Sequence, residues 1–215
     1  KCIEIEWGFQ DWTGEKARRM IEISRQSGAG ILRAVMGKAF GRGGNDADSA
    51  LERAYREIAD ILPILEKSGV VLALENHFDL RIEDFLQLLD RIPSRSFGVC
   101  LDTSNAIGEI MHPRECIRLL ARRSPCLHLK DYRIEKIVGG YRILGSAVGM
   151  GDQDTRAIIR EALCLNPEIE VCIELGTAFP DSMDQVFLIE ARDVDTSIRN
   201  TKKFLEEYYS RRQTG

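Results

Sequence analysis

The chain has 215 residues, 44% of them hydrophobic and 30% charged, which is the composition of a globular protein long enough to bury a sizeable core. A formal net charge of −4 provides no basic surface for nucleic acid, so we expect no nucleic-acid partner. No apolar run approaches the roughly 18 residues that span a bilayer, so we expect no membrane segment.

Six short apolar runs predict β-strands, and their continuous hydrophobicity is typical of strands buried on both faces. The first run follows Lys1 directly, so either the protein starts abruptly or the sequence is a fragment. The predicted strands cover residues 2–7, 31–36, 70–75, 97–101, 126–129 and 170–175.

Amphipathic segments with helical spacing of their apolar residues lie between these runs. Gly28 is a predicted helix end, and Pro113 suits the first turn of a helix. One segment departs from the alternation, because two short apolar runs flank Gly139-Gly140 and predict a hairpin. The predicted helices cover about 13–27, 46–68, 82–92, 113–120, 154–163 and 193–209.

The repetition of strand, helix and strand predicts an α/β fold with parallel pairing through right-handed crossovers. A closed (β/α)8 barrel needs eight strands and typically about 250 residues, so two βα units would be missing or hidden. An open doubly wound sheet avoids this difficulty and is the structural alternative. No low-complexity linker divides the sequence, so we predict one domain over residues 1–215.

Potential metal ligands end four consecutive predicted strands: Glu75, Asp102, His128 and Glu174. Active sites of parallel barrels lie at this end of the strands, and neighbouring strands are about 4.8 Å apart, so the four side chains can reach one ion. A single carboxylate there is usually a helix cap or a loop anchor. Four in successive strands are hard to explain in that way, since a buried charge is costly unless it is paired or bound to metal. This hard ligand set favours Mn²⁺ or Mg²⁺, with Zn²⁺ or Co²⁺ as alternatives.

Five strings carry a resemblance over about residues 2–204: Leu-Ala-Leu-Glu75-Asn-His, Leu-Asp102-Thr-Ser-Asn, His128-Leu-Lys-Asp131, Gly149-Met-Gly151-Asp-Gln-Asp154 and Ile-Glu174-Leu-Gly. In this order they resemble the xylose isomerase-like TIM-barrel superfamily. That group includes keto-sugar 3-epimerases, hydroxypyruvate isomerases, inosose dehydratases and endonuclease IV repair enzymes.

The resemblance implies a (β/α)8 barrel in which residues 2–7 form the third strand, so that the first two βα units would precede Lys1. It also implies that the four predicted ligands hold one divalent cation and that Glu75 and Glu174 are the acid–base pair on opposite faces of the substrate. The implied reaction is isomerisation or epimerisation of a keto-sugar or sugar phosphate. It removes the proton alpha to the carbonyl and passes through an enediolate that the metal stabilises.

Two residues close to the predicted ligands are candidates for substrate binding. His77 follows Glu75 by two positions and would share its face in an extended chain. Asn105 stands where several epimerases of the superfamily have a substrate-binding histidine, and this departure weakens the 3-epimerase assignment.

Four further residues are weaker candidates. Arg133 would hold a substrate hydroxyl or phosphate, or else is a solvated side chain, and Trp7 would form an apolar wall for the sugar or else pack in the core. Lys130 and Asp131 would orient the imidazole of the neighbouring predicted ligand.

Three other functions remain open at this point. An inosose-type dehydratase would use the same ion and enolate to eliminate water. A DNA-repair nuclease of the superfamily needs more histidines than the three present, His77, His112 and His128, and the acidic charge balance opposes it. A non-catalytic barrel that binds a sugar is the third, and a homodimer would cover the open edges of an incomplete barrel.

The cysteines predict a location. Cys2, Cys100, Cys116, Cys126, Cys164 and Cys172 are scattered, and none forms a Cys-x-x-Cys pair. A disulfide framework is not expected at this size, and the sequence shows no secretory signal. We therefore expect a reducing, cytoplasmic environment.

Overall fold

Strands and helices alternate in the computed structural model, which describes residues 4–7, 14–36, 47–77, 80–176 and 182–213. The strands are β1 (Glu4–Trp7), β2 (Ile31–Ala34), β3 (Val71–Glu75), β4 (Phe97–Asp102), β5 (Cys126–Leu129), β6 (Asp131–Ile137), β7 (Gly140–Ser146) and β8 (Glu170–Ile173). The helices are α1 (Gly14–Ser27), α2 (Ala47–Ser68), α3 (Ile82–Arg91), α4 (Pro113–Leu120), α5 (Thr155–Leu165) and α6 (Met183–Gln213). Short 3-10 segments at Asn105–Glu109 and Ala121–Arg123 flank α4.

Six of the strands form one parallel sheet in the order β1-β2-β3-β4-β5-β8. Each strand pairs with the next along the chain, with only the β6–β7 hairpin passed over, and the order never reverses. A doubly wound sheet reverses its strand order at a switch point, so that alternative is wrong for the described strands. In a (β/α) barrel the parallel strands follow one another in chain order, and the described sheet has this order, as predicted.

The helices bury apolar stripes, and consecutive helices contact one another along the sheet. The long helix α2 shows why its segment is helical, because its fully buried residues repeat at three- and four-residue spacing. These are Leu51, Ala54, Ile58, Ile61 and Leu65. None of the helices in the described ranges combines the length and the apolar character that crossing a bilayer requires.

The last helix begins ten residues earlier than predicted, at Met183 instead of about residue 193. Its first turns carry Phe187 and Leu188, which are 64% and 74% exposed. Because this part of α6 buries little apolar surface, it lacks the one-sided pattern on which the prediction relied.

The predicted hairpin is present as β6 and β7, which pair antiparallel from Asp131 opposite Ser146 to Ile137 opposite Gly140. Gly139 has a φ of 82°, which an L-residue rarely adopts, so the turn needs a glycine there. The hairpin leaves the end of β5 directly, and it therefore starts beside the ends of the parallel strands.

Candidate metal centre

The four predicted ligands converge. One ligand atom from each of Glu75, Asp102, His128 and Glu174 lies within 4.8 Å of the corresponding atoms of the other three. Glu75 ends β3, Asp102 ends β4, His128 lies in β5, and Glu174 directly follows β8. The first three are buried, whereas Glu174 is half-buried. The geometry that a shared ion requires is therefore present, and the metal-binding role itself stays a prediction.

The carboxylate of Asp102 is fixed by the loop that follows it. Its Oδ1 accepts hydrogen bonds from the backbone N–H groups of Ser104 at 2.8 Å and Asn105 at 2.9 Å. The side chain of Asn76 accepts from the Asp102 N–H at 2.6 Å and donates to its carbonyl oxygen at 2.9 Å. The Asn76 amide thus bonds both backbone groups of Asp102, as a neighbouring strand would, and fixes the end of β4. With Oδ1 held by the loop, Oδ2 is left to face the cluster.

A buried arginine, Arg33 of β2, holds Glu75. Its Nε donates to Glu75 Oε2 at 2.5 Å, and its guanidinium forms an ion pair with the same oxygen. Asn105 donates from Nδ2 to the other oxygen at 2.9 Å. Burial raises the pKa of Glu75, whereas the positive charge of Arg33 lowers it. The negative charge of Asp102 also raises this pKa, so that it is raised overall.

Sequence reasoning missed Arg33, which is only 4% exposed. The signal was an arginine inside an otherwise apolar strand, between Leu32 and Ala34. A buried guanidinium needs an anionic partner, so its position predicted a carboxylate nearby without identifying which one.

The other half of the cluster joins His128, Glu174 and Lys130. His128 Nδ1 lies 2.7 Å from Glu174 Oε2, and Lys130 Nζ lies 2.6 Å from Asp102 Oδ2 and 3.2 Å from Glu174 Oε1. Burial raises the pKa of Glu174, but the hydrogen bond with His128 and the charge of Lys130 outweigh it and lower the pKa to about 2. Burial lowers the pKa of Lys130, and the charge of Asp102 and their hydrogen bond reverse this, so its pKa is raised.

The donor set fits a hard divalent cation. Three carboxylates face two permanently positive side chains, Arg33 and Lys130, so one negative charge remains uncompensated while His128 is neutral. Carboxylate oxygens with one imidazole are ligands that Mg²⁺, Mn²⁺ and Zn²⁺ accept. An ion that binds these four groups takes over the contacts that Lys130 and His128 make with the carboxylates.

The predicted substrate-binding residues are placed differently from one another. Asn105 contacts the cluster through the side chain of Glu75. His77 lies close to Glu75 in the backbone, because its N–H donates to the Glu75 carbonyl oxygen at 2.7 Å. Arg133 is exposed on β6 and donates to the Met150 carbonyl oxygen at 3.2 and 3.0 Å, so it belongs to the hairpin surface. β1 ends at Trp7, whose side chain lies outside the described part of the structure.

The carboxylate of Asp131 accepts hydrogen bonds from backbone N–H groups of its own neighbour and of the loop after β7, and its role in orienting His128 stays a prediction. The donors are Tyr132, Gly149, Gly151 and Gln153, at 2.8 to 3.2 Å. A Cβ on Gly151 would lie 2.2 Å from Asp131 Oδ1, so this loop needs a glycine for its close approach. Lys130 does contact the cluster, through Asp102 and Glu174.

The loop that Asp131 holds also contacts the backbone of Lys130. Gln153 donates from Nε2 to the Lys130 carbonyl oxygen at 2.6 Å and to Thr103 Oγ1 at 3.2 Å. Gln153 thereby links the carboxylate of Asp131 to the backbone of Lys130.

Comparison with known proteins finds a curated relative that is named 3-oxo-isoapionate decarboxylase, from Pectobacterium atrosepticum. It is 28% identical over 158 residues, which cover 73% of this chain and 55% of the relative. The chain spans about half the length of the two curated relatives that it matches, 55% and 52%.

Solved structures share the fold. An L-ribulose 3-epimerase superposes with a TM-score of 0.74 and 15% identity, over 99% of this chain and 78% of that one. A xylose isomerase-like TIM barrel protein from Mycobacterium smegmatis, in complex with magnesium, has a TM-score of 0.62 and 21% identity, over 86% of this chain and 66% of that one.

The family model described as the xylose isomerase-like TIM barrel matches residues 5–186 of the chain. The match includes the five parallel strands from β2 to β8 and all four residues of the carboxylate–imidazole cluster. The order of the strands and the superpositions on solved barrels agree with it. The chain therefore belongs to the xylose isomerase-like TIM barrel family.

Proposed function

We propose that this chain is the metal-binding part of an enzyme that isomerises or epimerises a keto-sugar or a sugar phosphate. The observation that carries the proposal is the meeting of Glu75 and Glu174 with Asp102 and His128 at the ends of successive strands. Family members act on small sugars, and one fold neighbour is an L-ribulose 3-epimerase.

A hard divalent ion in this cluster would polarise the substrate carbonyl and stabilise the enediolate left when the alpha proton is removed. Mn²⁺ and Mg²⁺ are the ions we favour, with Zn²⁺ or Co²⁺ as alternatives, because three of the four donors are carboxylates.

Proton transfer falls to the two glutamates. Glu75 is held on both oxygens, by Arg33 and Asn105, so its orientation is defined before substrate arrives. Glu174 is half-buried and so retains access for a substrate. Removal of the proton by one carboxylate and its return by the other on the opposite face gives the epimer, whereas return to the adjacent carbon gives the isomer. A positioned base of this kind contributes roughly 10²–10⁴-fold to the rate.

Substrate contacts are proposed for the groups beside the cluster. Asn105 and His77 lie next to Glu75, and Lys130 offers an ammonium group between two carboxylates. Roles in substrate binding for Arg133 and Trp7 stay predictions.

Decarboxylation of a 3-oxo sugar acid is the second candidate. It is favoured by the 28% identical relative that bears the name of such a decarboxylase. Loss of carbon dioxide leaves the same kind of enolate, so a divalent cation held by the cluster would stabilise it in the same way. Dehydration of an inosose-like substrate is a variant of the same chemistry.

Proton NMR in D₂O separates these reactions. The protein is stripped with a chelator, reloaded with Mn²⁺ or Mg²⁺, and incubated with ketopentoses, ketohexoses, their phosphates and 3-oxo sugar acids. Exchange of the alpha proton with formation of an epimer or isomer supports the proposal. Release of carbon dioxide or water assigns the decarboxylase or dehydratase instead, and binding without turnover assigns a non-catalytic barrel.

The matched variants are Glu174→Gln and Glu168→Gln, which remove one carboxylate each, in the cluster and on the exposed surface respectively. We expect Glu174→Gln to lose exchange by at least roughly a hundredfold and Glu168→Gln to retain it. Turnover by Glu174→Gln at the wild-type rate would remove Glu174 from the reaction.

A further inference from the structure

A layer of cysteines lies beneath the carboxylate–imidazole cluster. On three successive strands of the sheet, a cysteine stands two residues before a predicted ligand: Cys100 before Asp102, Cys126 before His128 and Cys172 before Glu174. Alternate residues of a strand point to the same face of a sheet, so each cysteine lies one layer below its partner and on the same side. The proposed catalytic reaction uses none of these thiols.

Two of the cysteines meet the imidazole. Cys100 of β4 and Cys126 of β5 are direct partners in the parallel register. Their Sγ atoms and one ring nitrogen of His128 lie within 4.8 Å of one another, and all three residues are buried. Tetrahedral metal sites hold sulfur and nitrogen ligands about 2.0–2.3 Å from the ion, which places ligand atoms at separations of this order.

The surroundings of the two thiols are small and apolar. Cys100 and Cys126 pack with Ile31 and Ala73 in a cluster of buried residues separate from the main core. Ala73, two residues before Glu75 on β3, packs against the two thiols, and Glu75 itself is the register partner of Cys100. The two thiols and the imidazole of His128 therefore offer sulfur and nitrogen donors, whereas three of the four donors in the layer above are carboxylates.

We propose that Cys100, Cys126 and His128 form a second metal site, which takes thiophilic ions such as Zn²⁺ and Cd²⁺. Thiolate and imidazole ligands select these ions over Mg²⁺ and Mn²⁺, which prefer the oxygen donors of the upper layer. Cys172 faces the same side of β8, and His128 is its register neighbour, so it is positioned to approach the ion as a further ligand.

The two sites share His128, and this makes them interdependent. A thiophilic ion that holds the imidazole leaves the upper cluster with three carboxylates and one ligand fewer. Binding of Cd²⁺ or Zn²⁺ in the lower site therefore weakens the binding of Mn²⁺ above it, by roughly tenfold or more. The competing interpretation is that buried cysteines serve only as small hydrophobic side chains, which predicts no thiolate-bound ion.

Absorption spectroscopy tests the site directly. Cd²⁺ is titrated into reduced protein in the presence of excess Mg²⁺, and the thiolate-to-metal charge-transfer band in the ultraviolet is recorded. We expect one equivalent of Cd²⁺ to produce the band. Cys100→Ala and Cys126→Ala should each abolish it, whereas Cys164→Ala, which removes an exposed thiol on α5, should leave it intact.

Asp102→Asn distinguishes the lower site from the upper one, because it alters a predicted hard-ion ligand and no thiol. The band should persist in this variant even if the proposed sugar chemistry is wrong. Loss of the band in Asp102→Asn or Cys164→Ala, or its persistence in both Cys100→Ala and Cys126→Ala, would overturn the proposal.

A measurement on the wild-type protein covers the case in which the alanine variants do not fold. X-ray absorption fine structure of protein loaded with one equivalent of Zn²⁺ should show two or three sulfur scatterers and at least one nitrogen. A shell of nitrogen and oxygen alone would place the zinc in the upper cluster and refute the second site.

Discussion

Removal of the Arg33 guanidinium is the change that most directly tests how the cluster is stabilised. Arg33→Met keeps much of the side-chain volume and leaves the buried carboxylate of Glu75 without its ion-pair partner. A charge left alone in a buried position costs several kcal/mol, so Glu75 is expected to take up a proton instead.

Protonation sets the size of the effect. A carboxyl with the ordinary pKa of 4.5 that must remain protonated at pH 7 costs about 3.4 kcal/mol, at about 1.4 kcal/mol for each pH unit. The raised pKa of Glu75 already contributes part of this cost in the wild type, so about 3.4 kcal/mol is the upper limit for the loss in Arg33→Met. The sign follows from linkage: a carboxyl whose pKa is raised by folding destabilises above its unfolded pKa. The loss should therefore shrink to below about 1 kcal/mol at pH 5.

Urea unfolding of chelator-treated protein at pH 5 and pH 7 measures these values. Arg95→Met, which removes an exposed arginine, is the matched control and should change the free energy of unfolding by less than about 0.5 kcal/mol at either pH. Arg33→Met combined with Glu75→Gln should recover most of the loss. A loss that is the same at both pH values, or that survives the Glu75→Gln replacement, would refute the reasoning.

Four further outcomes follow from the structure. Gly151→Ala should cost roughly 1–3 kcal/mol by crowding Asp131, whereas Gly30→Ala, with nothing within 4 Å of its new Cβ, should be tolerated; thermal unfolding compares them. Burial raises the pKa of Glu161, but its hydrogen bonds and ion pairs with two arginines of α4 lower the pKa overall. At pH 7 the free energy of unfolding of the wild type should therefore exceed that of Glu161→Gln by roughly 0.5–1 kcal/mol, and this difference should vanish as the pH falls below 4.5. Unfolding measurements across the acid range check the sign. Lys130→Met should tighten Mn²⁺ binding in calorimetry, since the ammonium no longer occupies the carboxylates; unchanged affinity would mean that the two do not compete. The predicted homodimer requires a midpoint of thermal unfolding that rises with protein concentration, and a midpoint independent of concentration would exclude it.

Most of the parallel strands and the hairpin could be predicted because their signals are local. Runs such as that ending at Leu101 are continuous and apolar, and Gly139-Gly140 interrupts two β-rich segments. The start of α6 could not be predicted, because Phe187 and Leu188 are exposed and that segment buries little apolar surface. Local pattern predicts a surface helix only where the helix has two chemically different sides.

The candidate site divides in the same way. The four positions of the carboxylate–imidazole cluster were recognisable, because a charged or imidazole side chain at the end of a buried strand is unusual in itself. The hydrogen-bond partners of Asp131 could not be predicted, since they are backbone N–H groups as far away in sequence as Gln153, and backbone groups carry no sequence signal.

The sequence by itself determined the alternation of strands and helices, the family, and the positions of Glu75, Asp102, His128 and Glu174. Only the tertiary structure decided which charges compensate them, because Arg33 meets Glu75 across 42 residues of chain through the pairing of β2 with β3. It also brought Cys100 and Cys126 together beneath His128. The physical reason is that each side chain's chemistry can be read from its own position in the sequence. The partner of a buried group depends on strand register, which is set only when distant segments pack.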